Sequence, residues 1–180
     1  MFVQTEVTPN PNSLKFLPGK NVSNSGSFEV TKKEDTNSDL VRNLLSINGV
    51  TGVFLGQDFL SINKLENVEW EDIKHIVISL INDFYATGKE FVIDENLNEE
   101  NNSEFAEIEK QIIKILDTKI RPAVAKDGGD IKFKSFKDGI VHVELQGSCS
   151  GCPSSLMTLK QGVQNLLCHY VEEVKSVEAI

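Results

Sequence analysis

The chain has 180 residues, of which 39% are hydrophobic and 25% are charged, as in ordinary globular proteins. Its formal net charge of -9 argues against nucleic acid and anionic membranes as partners, because phosphate groups are bound by clustered Lys and Arg. Three cysteines are too few for a disulfide framework, and no apolar run is long enough to span a membrane. With no secretory signal at its start, the sequence predicts an intracellular protein.

The first half of the chain alternates short extended segments with two helices. Alternating apolar and polar residues predict strands at 2–8, 13–17, 28–30, 50–55 and 59–63, and apolar residues at helical spacing predict helices at 39–47 and 70–85. Pro9 to Asn12 predicts a turn, and residues 56–58 predict a hairpin connection. This order of elements is typical of an α+β domain with helices on one face of a mostly antiparallel sheet.

A polar segment separates this half from the rest. Residues 94–102 contain four acids, four asparagines and a single apolar residue, which is too little to form a core. Charge also changes here, because residues 1–102 hold twice as many acidic as basic side chains, whereas residues 103–180 are nearly balanced. We therefore predict a first domain at 1–93, a flexible acidic linker at 94–102 and a second domain at 103–180.

The second half predicts another small α+β unit. Helices are predicted at 103–118, with Ser103 as N-cap, at 120–124 and at 153–170; strands are predicted at 131–134, 140–146 and 174–180. Residues 137–139 predict a hairpin turn, and we interpret Asp127-Gly128-Gly129-Asp130 as a turn and not as a carboxylate pair. The predicted fold class is thus α+β, with two small domains joined by the acidic linker.

Cys149 and Cys152 are three residues apart, just before a predicted helix. Two thiols at this spacing can face one metal or cluster, and a helix N-terminus favours their negatively charged form. Three interpretations compete. A thiol–disulfide oxidoreductase would need a βαβ setting, whereas the strand before the pair belongs to an antiparallel hairpin. Structural zinc needs four ligands, so it would have to bridge two chains. An iron–sulfur cluster shared by two chains would also receive four thiolates.

The residues around this pair resemble the NifU C-terminal domain. They are Arg121-Pro122, Asp127-Gly128-Gly129-Asp130-Ile131, Cys149-Ser150-Gly151-Cys152-Pro153-Ser154-Ser155, Thr158-Leu159-Lys160 and Gly162. The first half resembles the N-terminal domain of Nfu-type proteins, through the run from Thr8 to Phe16, Val53-Phe54 and Asp58-Phe59. The two motifs follow each other in the order that this family has, and together they cover nearly the whole chain except the linker.

The resemblance implies an iron–sulfur cluster scaffold or carrier that is a binding protein and not an enzyme, with no catalytic residue. It implies a [4Fe–4S] cluster held between two copies of the chain by Cys149 and Cys152, the cofactor-binding and metal-binding residues. The implied partners are the second copy, an upstream cluster donor and apo iron–sulfur client proteins. We expect a bacterial cytoplasmic protein, with a processed mitochondrial form as the alternative. Cys168 matches no family motif, and we interpret it as a semi-buried structural residue.

Overall fold

The computed structural model of the chain describes residues 2–24, 26–90, 92, 106–150 and 153–180, with the side chains of 153–155 excepted. The first group of elements comprises β1 Gln4–Val7, β2 Ser13–Leu17, β3 Phe28–Val30, a 3₁₀ turn Lys33–Asp35, α1 Asp39–Leu45, β4 Val50–Leu55, β5 Leu60–Lys64 and α2 Trp70–Ala86. The second comprises α3 Glu107–Ile115, a π-helical segment Leu116–Ile120, α4 Arg121–Lys126, β6 Gly129–Lys137, β7 Ile140–Gly147, α5 Pro153–Tyr170 and β8 Ser176–Ala179.

The first sheet has the strand order β1-β2-β5-β4-β3, and every neighbouring pair is antiparallel. Side chains alternate between the two faces of a strand, so Leu14 and Phe16 of β2 point to one face and Ser13 and Lys15 to the other. Helices α1 and α2 cover the face that carries Phe16. The core between them contains Phe16, Leu44, Leu60, Ile62, Val77 and Ile81, all of which are completely buried.

The second sheet has the order β6-β7-β8, with β6 antiparallel and β8 parallel to β7. Asp138 and Gly139 both have positive φ angles, 54° and 80°, as the tight turn between β6 and β7 requires. The three helices α3, α4 and α5 pack on the apolar face of this sheet. Its core includes Ile112, Leu116, Val124, Ile131, Val141, Val163, Leu167 and Val177.

The predicted fold class is confirmed: the chain is α+β, with two sheets that each carry helices on one face. The first sheet is antiparallel throughout, whereas the second has one antiparallel and one parallel pairing, because α5 connects β7 to β8 as a crossover. The predicted linker 94–102 and the predicted N-cap Ser103 lie outside the described residues, so the domain bounds stay a prediction. No helix in the described part of the chain is long and apolar enough to cross a bilayer.

The interpretation of residues 127–130 as one turn is wrong for its second half. Gly129 and Asp130 begin β6, where they pair with Gly147 and Gln146 of β7. Asp and Gly are both rare in strands. Here Arg121 binds the Asp130 carboxylate, and a side chain at position 129 would collide with Cys149. Tertiary contacts therefore override the local turn preference of this segment.

Candidate functional site

Cys149 lies between the end of β7 at Gly147 and the start of α5 at Pro153. Its side chain is buried, with 8% exposure, and it lines an open cavity of about 470 Å³. Among the described residues, the cavity is also lined by Pro9, Val124, Asp127, Ser148, Thr158 and Leu159. Cys152 lies outside the described residues, and α5 begins at the residue after it. The structure therefore places one of the two predicted ligand residues, in the wall of a cavity between the cysteine turn and the turn that contains Pro9.

Two glycines make room for the Cys149 turn. A Cβ atom on Gly129 would lie 2.7 Å from the Cys149 sulfur and 2.7 Å from the Gln146 carbonyl oxygen, so no side chain fits there. Gly147 has a φ of 67°, and a Cβ atom on it would lie 2.6 Å from the Gly128 carbonyl oxygen. The turn depends on both positions being glycine, because one lacks space and the other also needs left-handed backbone.

Arg121 and Asp130 fix the start of β6 beneath this turn. The guanidinium donates two hydrogen bonds of 2.8 Å to the two carboxylate oxygens of Asp130, and the Ile131 amide donates a third, also of 2.8 Å. Contact with Asp130 raises the pKa of Arg121 further above its ordinary value. Asp130 is therefore a buried structural carboxylate that anchors α4 to β6, and through β6 it positions Gly129.

The predicted turn at 9–12 reaches the cysteine turn. Asn10 uses its side-chain oxygen to accept the Asn12 amide at 3.0 Å, which leaves its side-chain nitrogen to donate outward. That nitrogen lies 3.1 Å from the Ser148 carbonyl oxygen and 3.4 Å from that of Ser150. Asn10 thus bonds to the backbone on both sides of Cys149. Local sequence patterns indicate the turn but carry no signal for where it packs.

Glu29 of β3 contacts the same turn from another side. One of its carboxylate oxygens accepts the Gly147 amide at 3.1 Å and the Ser150 hydroxyl at 3.4 Å. Burial raises the pKa of Glu29 above its ordinary value, although these two hydrogen bonds act in the opposite direction. Local sequence patterns carry no signal for a role of Glu29, because it occupies the polar position of a short strand that would ordinarily face solvent.

Each half of the chain matches a known protein family. A family model described as "Scaffold protein Nfu/NifU N terminal" matches residues 3–88, and one described as "NifU-like domain" matches residues 112–178. The chain is 46% identical over 183 residues to the human "NFU1 iron-sulfur cluster scaffold homolog, mitochondrial", covering 100% of this chain and 72% of that protein. The chain belongs to the Nfu/NifU family of iron–sulfur cluster scaffold proteins. The predicted resemblance is confirmed.

Two further proteins are similar to this chain over different extents. "NifU-like protein 4, mitochondrial" from Arabidopsis thaliana is 42% identical over 185 residues, covering 99% of this chain and 65% of its own length. The solution structure of a NifU-like protein from Saccharomyces cerevisiae is 32% identical and covers 53% of this chain and 86% of that one, with a TM-score of 0.48. This Nfu-family chain therefore spans about two thirds of the length of several relatives that it matches.

Outside the cysteine turn, Cys168 and His142 of this Nfu-family chain contact other protein groups and do not form a ligand cluster. Cys168 is half-buried against the core of the second domain, and its sulfur lies 3.8 Å from the Lys175 carbonyl oxygen. His142 is 3.2 Å from the Ser135 hydroxyl on the neighbouring strand. Among the described residues, no three or more His, Cys, Asp or Glu side chains form a group that could hold a metal ion.

Proposed function

We propose that this Nfu-family chain carries a [4Fe–4S] cluster, which two copies hold through Cys149 and Cys152, and passes it to apo-proteins. The cluster is cargo, so the chain acts as a binding protein and not as an enzyme. The observation that supports this most directly is the placement of Cys149. Its side chain lines a cavity of about 470 Å³, on a turn whose shape depends on two glycines.

The number of thiolates favours sharing between chains. A cubane cluster takes four ligands, and the motif offers two from each chain. The partners follow from the same role: a donor that supplies the cluster, apo iron–sulfur proteins that accept it, and a second copy of the chain. The named human and Arabidopsis relatives are mitochondrial proteins, so a mitochondrion stands beside the bacterial cytoplasm as the proposed compartment.

The other two interpretations of the cysteine pair have weaker support. The elements β7, α5 and β8 form a βαβ unit with β8 parallel to β7, and the cysteine turn lies between its first strand and its helix. Topology therefore does not exclude a thioredoxin-type redox pair. The redox interpretation is less favoured because the named human relative is an iron–sulfur cluster scaffold homolog. Zinc bridging two chains would use the same four thiolates, and it differs from a cluster in being colourless and free of sulfide.

Anaerobic reconstitution with iron and sulfide tests the proposal. We expect a brown protein absorbing near ~400 nm, with about one cluster per two chains by iron and sulfide analysis of the dimer peak. Cys149→Ser and Cys152→Ser should each abolish the colour, because each substitution leaves two motif thiolates per pair of chains where a cubane cluster takes four. Cys168→Ser is the matched control and should load as the parent chain does.

Two results would contradict it. A full cluster on a monomer would exclude sharing between chains, and loading that survives Cys149→Ser but not Cys168→Ser would exclude the assigned ligands. Stoichiometric zinc in place of iron, or turnover of a disulfide substrate without any bound iron, would favour one of the two alternatives.

A further inference from the structure

The first sheet has one face covered by α1 and α2 and a second face that no helix among the described residues 2–90 covers. We call this second face the polar face; in register across four strands it carries Lys15, Ser61, Phe54 and Glu29. A face of this composition would ordinarily meet solvent. Instead Ser61 is completely buried, Phe54 is 1% exposed and Lys15 is 8% exposed. Phe54 is not part of the core that the helices form.

The second domain covers the polar face, and it does so with the backbone of the cysteine turn and its neighbours. The Ser61 hydroxyl donates to the Gly128 carbonyl at 2.6 Å, and the side-chain nitrogen of Asn63 donates to the Gly147 carbonyl at 3.1 Å. The Lys15 ammonium donates to the carbonyl of Lys126 at 3.4 Å.

Glycine at the contact points allows the two surfaces to approach closely. A Cβ atom on Gly128 would lie 2.8 Å from the Ser61 hydroxyl oxygen, and one on Gly147 would lie 3.0 Å from the Phe54 ring. The donors of the polar face therefore meet main-chain carbonyls directly, and Glu29 accepts the one main-chain amide described above. The hydrogen-bonding groups of the polar face are therefore complementary to the main-chain groups of this turn.

This contact also bears on access to Cys149. Pro9 of the first domain forms part of the cavity wall beside the thiol, and Asn10 bonds to the carbonyls on both sides of Cys149. A second chain that brings its own pair of thiolates must approach through the space that the first domain borders. The contacts are mainly polar, as in interfaces between domains that come apart, whereas permanent cores are apolar.

We propose that the polar face is a binding site for the cysteine turn of the same chain, and that docking restricts access to Cys149. Release of the first domain then precedes the sharing of a cluster between two chains; this last step rests on the proposed function. The first domain is by this account a reversible cover for the site that carries the cargo.

Alkylation of Cys149 in the cluster-free full chain tests docking without any cluster. In a Cys152→Ser, Cys168→Ser background, Cys149 is the single thiol, and its rate of reaction with a maleimide reports the undocked fraction. Ser61→Arg places a long cation against the Gly128 carbonyl region and should raise the rate by about tenfold or more. Gln4→Arg is the matched control, because Gln4 lies exposed on the same face at the free β1 edge; its rate should stay within about twofold of the parent's.

Glu29→Arg, on the opposite edge strand, is a second variant that disturbs the contact without burying a charge in the middle of the sheet. It should also raise the rate, and thermal melts will identify any variant that fails to fold. Equal alkylation rates in the parent, Ser61→Arg and Glu29→Arg would overturn the proposal, as would an equal acceleration by Gln4→Arg.

A second measurement connects docking to the cargo. With all cysteines restored, Ser61→Arg should load iron and sulfide faster than the parent chain and than Gln4→Arg. If no variant binds a cluster, the proposed function fails, while the alkylation rates still decide whether the polar face docks. If Ser61→Arg accelerates alkylation but slows cluster loading, the first domain assists the site instead of covering it, and the restriction of access is refuted.

Discussion

The two faces of the first sheet are buried to a similar degree by different chemistry. Phe16 and Ile62 point into a core made of helix side chains and are completely buried. Ser61, next to Ile62 in the same strand, is equally buried, but a main-chain carbonyl of the other domain covers it. The apolar face gains free energy from excluding water, whereas each polar bond replaces one with water and adds little net stability. One face therefore holds the domain together, and the other can be released at low cost.

The largest expected effect falls on the apolar face. Phe16→Ala removes a completely buried ring from the centre of the sheet and should lower the free energy of unfolding by about 3–5 kcal/mol. Urea titration followed by circular dichroism measures this loss. Ser61→Ala removes one hydrogen bond from the polar face, so it should lower the free energy of unfolding by only about 1 kcal/mol. Similar losses at both positions would show that the polar face is a permanent core and not a releasable contact.

A smaller effect is expected from Gly129→Ala, which alters the turn beneath the polar face but no residue of the first domain. The new methyl group would overlap the Cys149 sulfur and the Gln146 carbonyl, so the turn must shift, at a cost of about 1–3 kcal/mol. We expect reduced cluster occupancy on reconstitution, measured as iron per chain against the parent. Gly162→Ala is the control, since nothing lies within 4 Å of a Cβ atom there. Full occupancy in Gly129→Ala would mean that the turn tolerates displacement of Cys149.

The smallest effect concerns pH. Burial raises the pKa of Glu29 from its ordinary value of 4.5, while Glu144 facing it adds to the rise and Lys132 opposes it. Glu29 therefore binds a proton more tightly in the docked form of the chain than in the released form. Docking should be most favoured below pH 4.5 and should weaken as pH rises through the raised pKa, with no further change above it.

Nuclear magnetic resonance relaxation can follow this change, because docked domains tumble together and released domains tumble separately. The parent chain should show more independent tumbling as pH rises through this window, while Glu29→Gln, which does not titrate, should show a flatter response. More independent tumbling of the parent at the acidic end of the window would contradict the assigned role of Glu29.

Sequence patterns were sufficient for the elements whose burial is decided within one domain. The apolar spacing of α2 and the span of α5 predicted both helices, since one stripe of each faces its own sheet. The cysteine motif selects Cys149 and Cys152 as candidate ligands, and that assignment stays a prediction. The same reasoning could not find the polar face, because Lys15 and Ser61 alternate with apolar neighbours as solvent-facing residues do. Their burial comes from contact between residues about 70 to 110 positions apart, which local periodicity does not encode.

The π-helical segment Leu116–Ile120 has a consequence for helical phase. Apolar residues recur at every fourth position from Ile108 through Ile112, Leu116 and Ile120 to Val124. An α-helix turns by 100° per residue, so four such steps would rotate this stripe by about 160° and carry Val124 away from the sheet. One π turn accommodates an extra residue and recovers about 100° of that rotation. The orientation of α4, and with it the reach of Arg121 to Asp130, thus depends on a local change of helical pitch in the turn just before it.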